Sequence, residues 1–200
     1  MTDDSVIDAL RRSRVLAILR RPDIAEVADD LLGVLRAHGV RAVECTLDQP
    51  GALDVVRRLR RDRRPDELVG AGTVMTTEQV DDLVQAGADF AVSPHLDEVV
   101  LAHAVEVGLP LLPGVMTPSE MVRAVDMGAP AVKLFPAGPL GLHFLRALQG
   151  PLGHVPIVAT GGINVADVPS WLDAGAACVG LGSALTGPGG PPASLAEVLR

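Results

Sequence analysis

The sequence predicts an α/β fold of the (β/α)8 class, a TIM barrel built as a single domain. Short runs of Val, Ile, Leu and Ala alternate with longer amphipathic patterns, which is typical of strand–helix units around a parallel sheet. A glycine suited to closing a helix precedes five of the apolar runs, at Gly39, Gly87, Gly108, Gly128 and Gly175. Eight such units in 200 residues give 25 residues each, enough for one domain with a sizeable core but too few for two ordinary domains.

The elements follow in a regular order. A leading helix over 3–14, within the N-terminal segment 1–14, is expected to lie across the barrel bottom as a short capping helix. Each strand after the first follows an amphipathic helix. The segment 186–200 holds a Gly/Pro linker at 187–192 and the stub of a final helix at 195–200. The eight predicted strands are 15–20, 41–47, 68–74, 90–94, 110–114, 131–136, 156–161 and 178–182.

An open, doubly wound sheet is the rival architecture for this alternation of strands and helices. Such a sheet normally carries a Gly-x-Gly-x-x-Gly turn after its first strand. Here the first strand ends Leu19-Arg20-Arg21-Pro22, without a glycine. The barrel is therefore the better prediction.

Composition excludes several classes of partner. A net charge of −8 and an aromatic content of 2% provide neither the positive field nor the stacking surface that nucleic-acid binding requires. No apolar run is long enough to span a membrane, and the acidic start does not resemble a signal peptide, so we expect a cytoplasmic protein. Cys45 and Cys178 are expected to be small core residues, because they lack the spacing of a disulfide scaffold or a metal site.

The cations point to one residue. Among 17 Lys plus Arg, 16 are Arg and Lys133 is the single lysine, inside the apolar run 131–136. Side chains alternate along a strand, so placing Val132 and Leu134 against the helices turns Lys133 inward. The same alternation in 41–47 turns Glu44 inward.

Other polar side chains are predicted to face inward beside these two. Alternation places Ala71 with Thr73, Val158 with Thr160, and Ile18 with Arg20, near the C-terminal strand ends where barrel enzymes build active sites. This convergence favours an enzyme. The alternative is a structural ion pair between Lys133 and Glu44, although burying two charges is costly.

A lysine in an apolar barrel has chemistry of its own. Burial destabilises the ammonium form, which exposes a nucleophilic amine able to form a Schiff base with a carbonyl. The iminium withdraws electrons, so a carbon–carbon bond one position further out can break. Glu44 can move the protons, and lysine plus carboxylate suffices for an aldolase that needs neither a metal nor an organic cofactor.

Two glycine-rich turns follow the last two strands, at 160–164 and 180–184. Barrels commonly present backbone N–H groups to phosphate at this position, and Asn164 is a suitable N-cap for the following helix. Each turn alone is weak evidence, but together they predict an anion site.

Several ordered motifs resemble the family of 2-keto-3-deoxy-6-phosphogluconate (KDPG) aldolases, which includes 4-hydroxy-2-oxoglutarate (KHG) and phosphogalactonate aldolases. The resemblance extends from about residue 15 to residue 185. It implies a class I aldolase with a (β/α)8 fold, a small 2-keto acid substrate carrying a phosphate, and a homotrimer. The motifs are Glu44-Cys45-Thr46-Leu47, Gly70-Ala71-Gly72-Thr73-Val74, Ser93-Pro94, Pro113-Gly114, Lys133-Leu134-Phe135-Pro136, Thr160-Gly161-Gly162 and Gly182-Ser183.

The resemblance also implies residue roles. Lys133 resembles the Schiff-base lysine and Glu44 the acid–base residue, while Phe135 resembles the aromatic wall. Thr73 and Thr160 resemble the hydroxyls around the pyruvyl group. The residues that resemble the phosphate cradle are Gly161, Gly162, Gly182 and Ser183.

The chain departs from the family pattern at Asp48. Some members carry an arginine for the substrate carboxylate there, and others carry it at the end of the first strand, where this chain has Arg20. Because Asp48 would repel a carboxylate, we expect Arg20 to bind it. A short C-terminal helix is a second departure.

Three functions remain open at this point: cleavage of KDPG to pyruvate and glyceraldehyde 3-phosphate; cleavage of KHG or of the phosphogalactonate substrate; and a silent barrel that binds a phosphorylated metabolite. Only the first two use Lys133 as a nucleophile. The third needs Lys133 to be merely paired with Glu44.

Overall fold

The computed structural model describes residues 3–187 and 190–199, in which parallel strands alternate with helices. The predicted linker falls partly outside these residues, at 188 and 189. The strands are Val15–Leu19 (β1), Ala42–Thr46 (β2), Leu68–Gly72 (β3), Ala91–Val92 (β4), Leu111–Leu112 (β5), Gly114–Val115 (β6), Val132–Leu134 (β7), Ile157–Thr160 (β8) and Cys178–Leu181 (β9). The helices are Asp3–Ser13 (α1), Ile24–Ala37 (α2), Ala52–Arg61 (α3), Thr77–Ala86 (α4), Glu98–Val107 (α5), Pro118–Asp126 (α6), Ala137–Leu152 (α7), Val168–Asp173 (α8), Ser183–Thr186 (α9) and Leu195–Val198 (α10).

The strands form one sheet that closes into a barrel, which confirms the predicted fold class. The order is β5-β4-β3-β2-β1-β9-β8-β7-β6, and its two end strands are consecutive in the chain. β5 lies within the predicted strand 110–114 and β6 begins at its last residue, with Pro113 between the two. Proline has no N–H to donate, so the ladder is interrupted there, although the Pro113 carbonyl still accepts from the Lys133 amide at 2.9 Å. Nine strands thus represent eight strand–helix units.

The turns before five strands use glycine as the spacing predicts. Gly39, Gly87, Gly108, Gly128 and Gly175 all have positive φ, between 72° and 105°. A residue with a Cβ rarely adopts this conformation, so glycine is needed where each helix ends and the chain turns into the next strand.

Two apolar cores lie on opposite faces of the sheet. The outer core packs the helices against outward residues such as Val132 and Leu134. The inner core fills the N-terminal end of the barrel, where Val6, Ile7 and Leu10 of α1 pack with interior side chains. The leading helix therefore closes the bottom, as predicted, and the open end lies at the C-terminal ends of the strands.

The predicted orientation of Ala71 is wrong. Ala71 packs in the outer core, while the inward positions of β3 are Gly70 and Gly72. Neighbouring side chains fill the space beside them: a Cβ at Gly70 would lie 2.6 Å from the Phe90 ring. Thr73 reaches the interior because its backbone is left-handed, with φ of 60°, and not by strand alternation.

Cys45 and Cys178 are free, buried residues of the core.

Within 3–187 and 190–199, no helix combines the length and the apolar character needed to cross a bilayer.

Candidate active site

A cavity of about 790 Å³ opens at the C-terminal ends of the strands. All ten side chains and glycines predicted to form the site line it, so the structure brings the predicted residues together. They are Arg20, Glu44, Thr73, Lys133, Phe135, Thr160, Gly161, Gly162, Gly182 and Ser183. Their individual roles remain predictions.

Lys133 lies in the middle of β7, with 8% of its surface exposed. Its sheet neighbours are Gly114 on β6 and Val158 on β8, which offer no charge of their own. The ammonium lies 4.8 Å from the centroid of the Phe135 ring, a cation–π distance. The amine therefore faces the cavity from a mostly apolar wall.

Glu44 is more deeply buried than Lys133, with 1% of its surface exposed. Burial raises the pKa of this carboxyl, and the charge of Lys133 opposes the rise only in part. Its Oε2 has no hydrogen-bond partner in the structure. A raised pKa makes the protonated form available closer to neutral pH, which suits a group that both donates and accepts a proton.

Lys133 and Glu44 do not form a direct ion pair: among the described residues, no distance between Nζ and a carboxylate oxygen of Glu44 is 4.0 Å or less. A purely structural pair would bring the two charges into contact to offset their desolvation. The separation instead leaves room for substrate atoms. This argues against the silent-barrel alternative, which requires the pair.

Glycines make room for the polar side chains. A Cβ at Gly72 would lie 2.6 Å from Glu44 Oε1, and a Cβ at Gly180 would lie 2.4 Å from Thr160 Oγ1. Both distances are shorter than real side-chain contacts. The glycines of β3 and β9 therefore let the neighbouring carboxylate and hydroxyl lie flat against the barrel wall.

The two glycine-rich turns adjoin the cavity. Gly161 and Gly162 have φ of 92° and 75°, and a Cβ at Gly161 would lie 2.9 Å from the Phe135 ring. Asn164 holds the N-cap position of a short 3-10 turn, as predicted, but its side chain makes no capping hydrogen bond. Its amide instead contacts Asp167 at 3.4 Å.

Arg20, which lines the cavity, forms an ion pair with Asp48. Asp48 Oδ2 accepts from Arg20 Nε at 3.0 Å and from Nη2 at 2.5 Å. Burial alone would raise the pKa of Asp48, but the nearby Thr46 hydroxyl, the Arg20 guanidinium and Gln49 outweigh it and lower that pKa. Asp48 is thus a partner of Arg20, the predicted carboxylate-binding residue. The sequence does not predict this pairing.

Among the lining residues that were not predicted as site residues, two stand out. Thr46 shares the inward face of Glu44 by strand alternation, but the prediction gave it no role. Pro94 lines the cavity from the segment that follows β4, and its carbonyl oxygen would lie 2.2 Å from a Cβ at Gly114. The side chain of Pro94 has no polar atom, so the residue type does not indicate that Pro94 lines the cavity.

A closed barrel with a buried lysine and a separate buried carboxylate in its open end is an arrangement of the aldolase type. The chain belongs to the KDPG and KHG aldolase family, whose model matches residues 6–189. Membership supports a carbon–carbon lyase activity.

Relatives and solved structures agree with this assignment. The chain is 39% identical over 148 residues to the KHG/KDPG aldolase of Escherichia coli K12, covering 74% of this chain and 69% of the relative. It is 34% identical over 172 residues to the 2-dehydro-3-deoxy-6-phosphogalactonate aldolase of the same strain, covering 86% and 83%. A crystal structure of KDPG aldolase from Legionella pneumophila, with pyruvate captured at low pH as a covalent carbinolamine intermediate, matches with a TM-score of 0.81 and 32% identity, covering 96% and 95%.

Proposed function

We propose that this protein is a class I aldolase that cleaves KDPG to pyruvate and glyceraldehyde 3-phosphate. The observation that carries the proposal is the single lysine of the chain, buried in the open end of the barrel near a buried carboxylate with which it forms no ion pair. The matching Legionella protein, which captures pyruvate covalently, supports the same chemistry.

The reaction begins at the ketone. The neutral amine of Lys133 attacks C2 of the substrate, giving a carbinolamine, and loss of water gives the iminium. Glu44 donates the proton that leaves with the water. The C3–C4 bond then breaks, its electron pair passes into the iminium to form an enamine, and Glu44 accepts the proton of the C4 hydroxyl as the aldehyde forms. Protonation of the enamine at C3 and hydrolysis release pyruvate and restore the amine.

The remaining residues bind the two ends of the substrate. Arg20 holds the carboxylate, and Thr73 and Thr160 contact the pyruvyl group beside the Phe135 wall. The turns at Gly161, Gly162, Gly182 and Ser183 receive the phosphate. Since the iminium nitrogen accepts the electrons, the mechanism as written uses no metal or organic cofactor.

The experiment that tests the proposal is borohydride reduction in the presence of pyruvate. One reduced pyruvyl group should be added per chain and should map to Lys133, because this is the only lysine. The Lys133→Met variant controls for reaction at the N-terminal amine and should gain nothing at this site. Active protein without an adduct would refute the Schiff-base mechanism.

KHG and the phosphogalactonate isomer are the alternative substrates, and the names of the E. coli relatives favour considering both. KHG ends in a carboxylate and has no phosphate, so its cleavage would leave the glycine-rich turns unused. A panel measuring pyruvate release from the three substrates separates these functions by their kcat/KM values.

We further propose that the protein is a homotrimer located in the cytoplasm. Large exposed apolar side chains are concentrated on or just before α4, α5 and α6, and Val99 is 71% exposed. A second copy of the chain would cover such a face. Light scattering after size exclusion tests the mass, and a monomer at micromolar concentration would refute the trimer. The exposed apolar side chains of this proposed contact face are Met75, Val84, Val99, Val105, Val107, Met116 and Val122.

A further inference from the structure

Thr46 carries a hydroxyl that none of the proposed roles uses. It is the last residue of β2, lines the cavity and is only 3% exposed. Its Oγ1 completes no hydrogen bond of ordinary length and angle, although it lies near enough to Asp48 to lower the pKa of that carboxyl. Leaving a buried hydroxyl unpaired disfavours folding, and such a group is typical of a site where a ligand supplies the missing partner.

The position of Thr46 relative to Glu44 indicates which part of a substrate it meets. The two residues share the inward face of β2, and Thr46 lies closer to the open end by one strand repeat, about 6–7 Å of backbone. Both side chains border the same point on β3: a Cβ at Gly72 would lie 2.6 Å from Glu44 Oε1 and 3.1 Å from Thr46 Cγ2. Thr46 and Glu44 thus face neighbouring substrate atoms, and Thr46 faces the atoms nearer the open end of the barrel.

This position matters because the substrate runs outward from Lys133. In the proposed function, Lys133 holds C2 and Glu44 acts across the C3–C4 bond. The next atoms toward the mouth belong to the half that leaves as the aldehyde. Sugar-acid chains carry hydroxyls there, and a threonine hydroxyl can both donate to and accept from a hydroxyl.

Resting on the proposed function, we infer that Thr46 is a specificity-determining residue whose hydroxyl binds a hydroxyl on the aldehyde half of the substrate. Its chemical target is therefore a hydroxylated chain beyond C3, not the pyruvyl group. Pyruvate lacks that half, so reactions of pyruvate alone do not need Thr46, whereas cleavage does.

Two variants separate the hydroxyl from the shape of the side chain. Thr46→Val keeps the branched shape and removes the hydroxyl, while Thr46→Ser keeps the hydroxyl. Each variant is measured in two reactions: cleavage of KDPG, followed by pyruvate release, and exchange of the pyruvate methyl protons in deuterated water, followed by NMR. The exchange requires Lys133 and Glu44 to form the enamine but involves no aldehyde.

The expected result is a split between the two reactions. Thr46→Val should lower kcat/KM for cleavage by about 10- to 100-fold, the effect of one lost hydrogen bond to a buried group. Its pyruvate exchange rate should stay within about twofold of wild type, because the enamine machinery is intact. Thr46→Ser should retain cleavage within about threefold, since it restores the donor and acceptor.

Unfolding in urea gives a second readout. Because Oγ1 completes no hydrogen bond within the described residues, Thr46→Val should unfold at the same urea concentration as wild type or a higher one. A clear loss of stability would mean that the hydroxyl has a structural partner, and would overturn the inference.

The kinetic outcomes also decide the matter. Equal losses in cleavage and exchange would mean that the hydroxyl acts on the pyruvyl group or on Glu44. Unchanged cleavage would mean that the hydroxyl does not contribute to substrate binding. Either outcome overturns the inference. These failures differ from failure of the proposed function, in which wild-type protein itself would neither exchange pyruvate protons nor cleave KDPG.

Discussion

Replacing Gly72 by alanine tests whether the position of the Glu44 carboxylate controls catalysis. The new Cβ would lie 2.6 Å from Oε1, 3.0 Å from Cδ of Glu44 and 3.1 Å from Cγ2 of Thr46. To restore an ordinary contact of 3.4 Å, the carboxylate must retreat by about 0.8 Å. A displacement near 1 Å can cost roughly 100-fold in rate, so we expect Gly72→Ala to lower kcat/KM by about 10- to 100-fold.

The matched control lies two residues earlier on the same inward face. A Cβ at Gly70 would lie 2.6–2.7 Å from three atoms of the Phe90 ring, which is fully buried and does not line the cavity. Overpacking a core ring costs about 1–3 kcal/mol of unfolding free energy. Gly70→Ala should therefore be the less stable variant, while its activity per folded molecule stays within about threefold of wild type.

Two measurements compare the variants: pyruvate release from KDPG, coupled to lactate dehydrogenase, and urea unfolding. Gly72→Ala should lose activity with a smaller loss of stability than Gly70→Ala, because the end of a glutamate side chain can move more easily than a packed ring. The reasoning would be refuted if Gly72→Ala cleaved KDPG at the wild-type rate, or if Gly70→Ala lost as much activity per folded molecule.

Three further predictions concern the charged groups of the cavity. Lys133→Arg keeps a cation but cannot form an imine, so pyruvate release should fall to background; turnover that survives this change would contradict nucleophilic catalysis. The folded-state pKa of Glu44 is raised, so its contribution to stability is fully present below the ordinary pKa of 4.5 and is lost as pH rises through the folded-state pKa. Glu44→Gln should remove that loss, so the urea midpoint of the variant should rise relative to that of wild type as pH rises above 4.5, and cleavage should fall by about 100-fold or more. A difference between the two midpoints that does not change with pH would show that Glu44 does not titrate as described. Asp48→Asn should raise KM more than it lowers kcat, because the neutral amide orients Arg20 less firmly, and an unchanged KM would show that the pair does not position the arginine.

The inward orientation of Lys133 and Glu44 could be predicted because both lie in strands with a clear pattern of large and small side chains. Ala71 was misplaced because β3 has glycine at its inward positions, so the strand carries no apolar signal on that face. The space is filled from other strands, by Phe90 and Glu44, and a neighbour's contribution cannot be seen in one strand's sequence.

The contact between Arg20 and Asp48 was missed for a different reason. Both residues lie just beyond strand ends, and their distance depends on how β1 and β2 align. The charge of each residue can be seen in the sequence but its partner cannot, so sequence reasoning predicts only repulsion between Asp48 and a substrate carboxylate. The break at Pro113 is likewise visible as a proline, but its place at the seam of the barrel depends on closure of the whole sheet.

The closed floor of the barrel has a kinetic consequence. Val6, Ile7 and Leu10 pack into the N-terminal end together with Leu16 and Phe90, so a ligand at Lys133 can leave only past whatever lies nearer the mouth. In the proposed reaction, we therefore expect the two products to leave in a fixed order, the aldehyde first and pyruvate second. Pyruvate should consequently act as a competitive product inhibitor, while the aldehyde should give a noncompetitive pattern. By closing the N-terminal end of the barrel, α1 would leave pyruvate only the path through the open end.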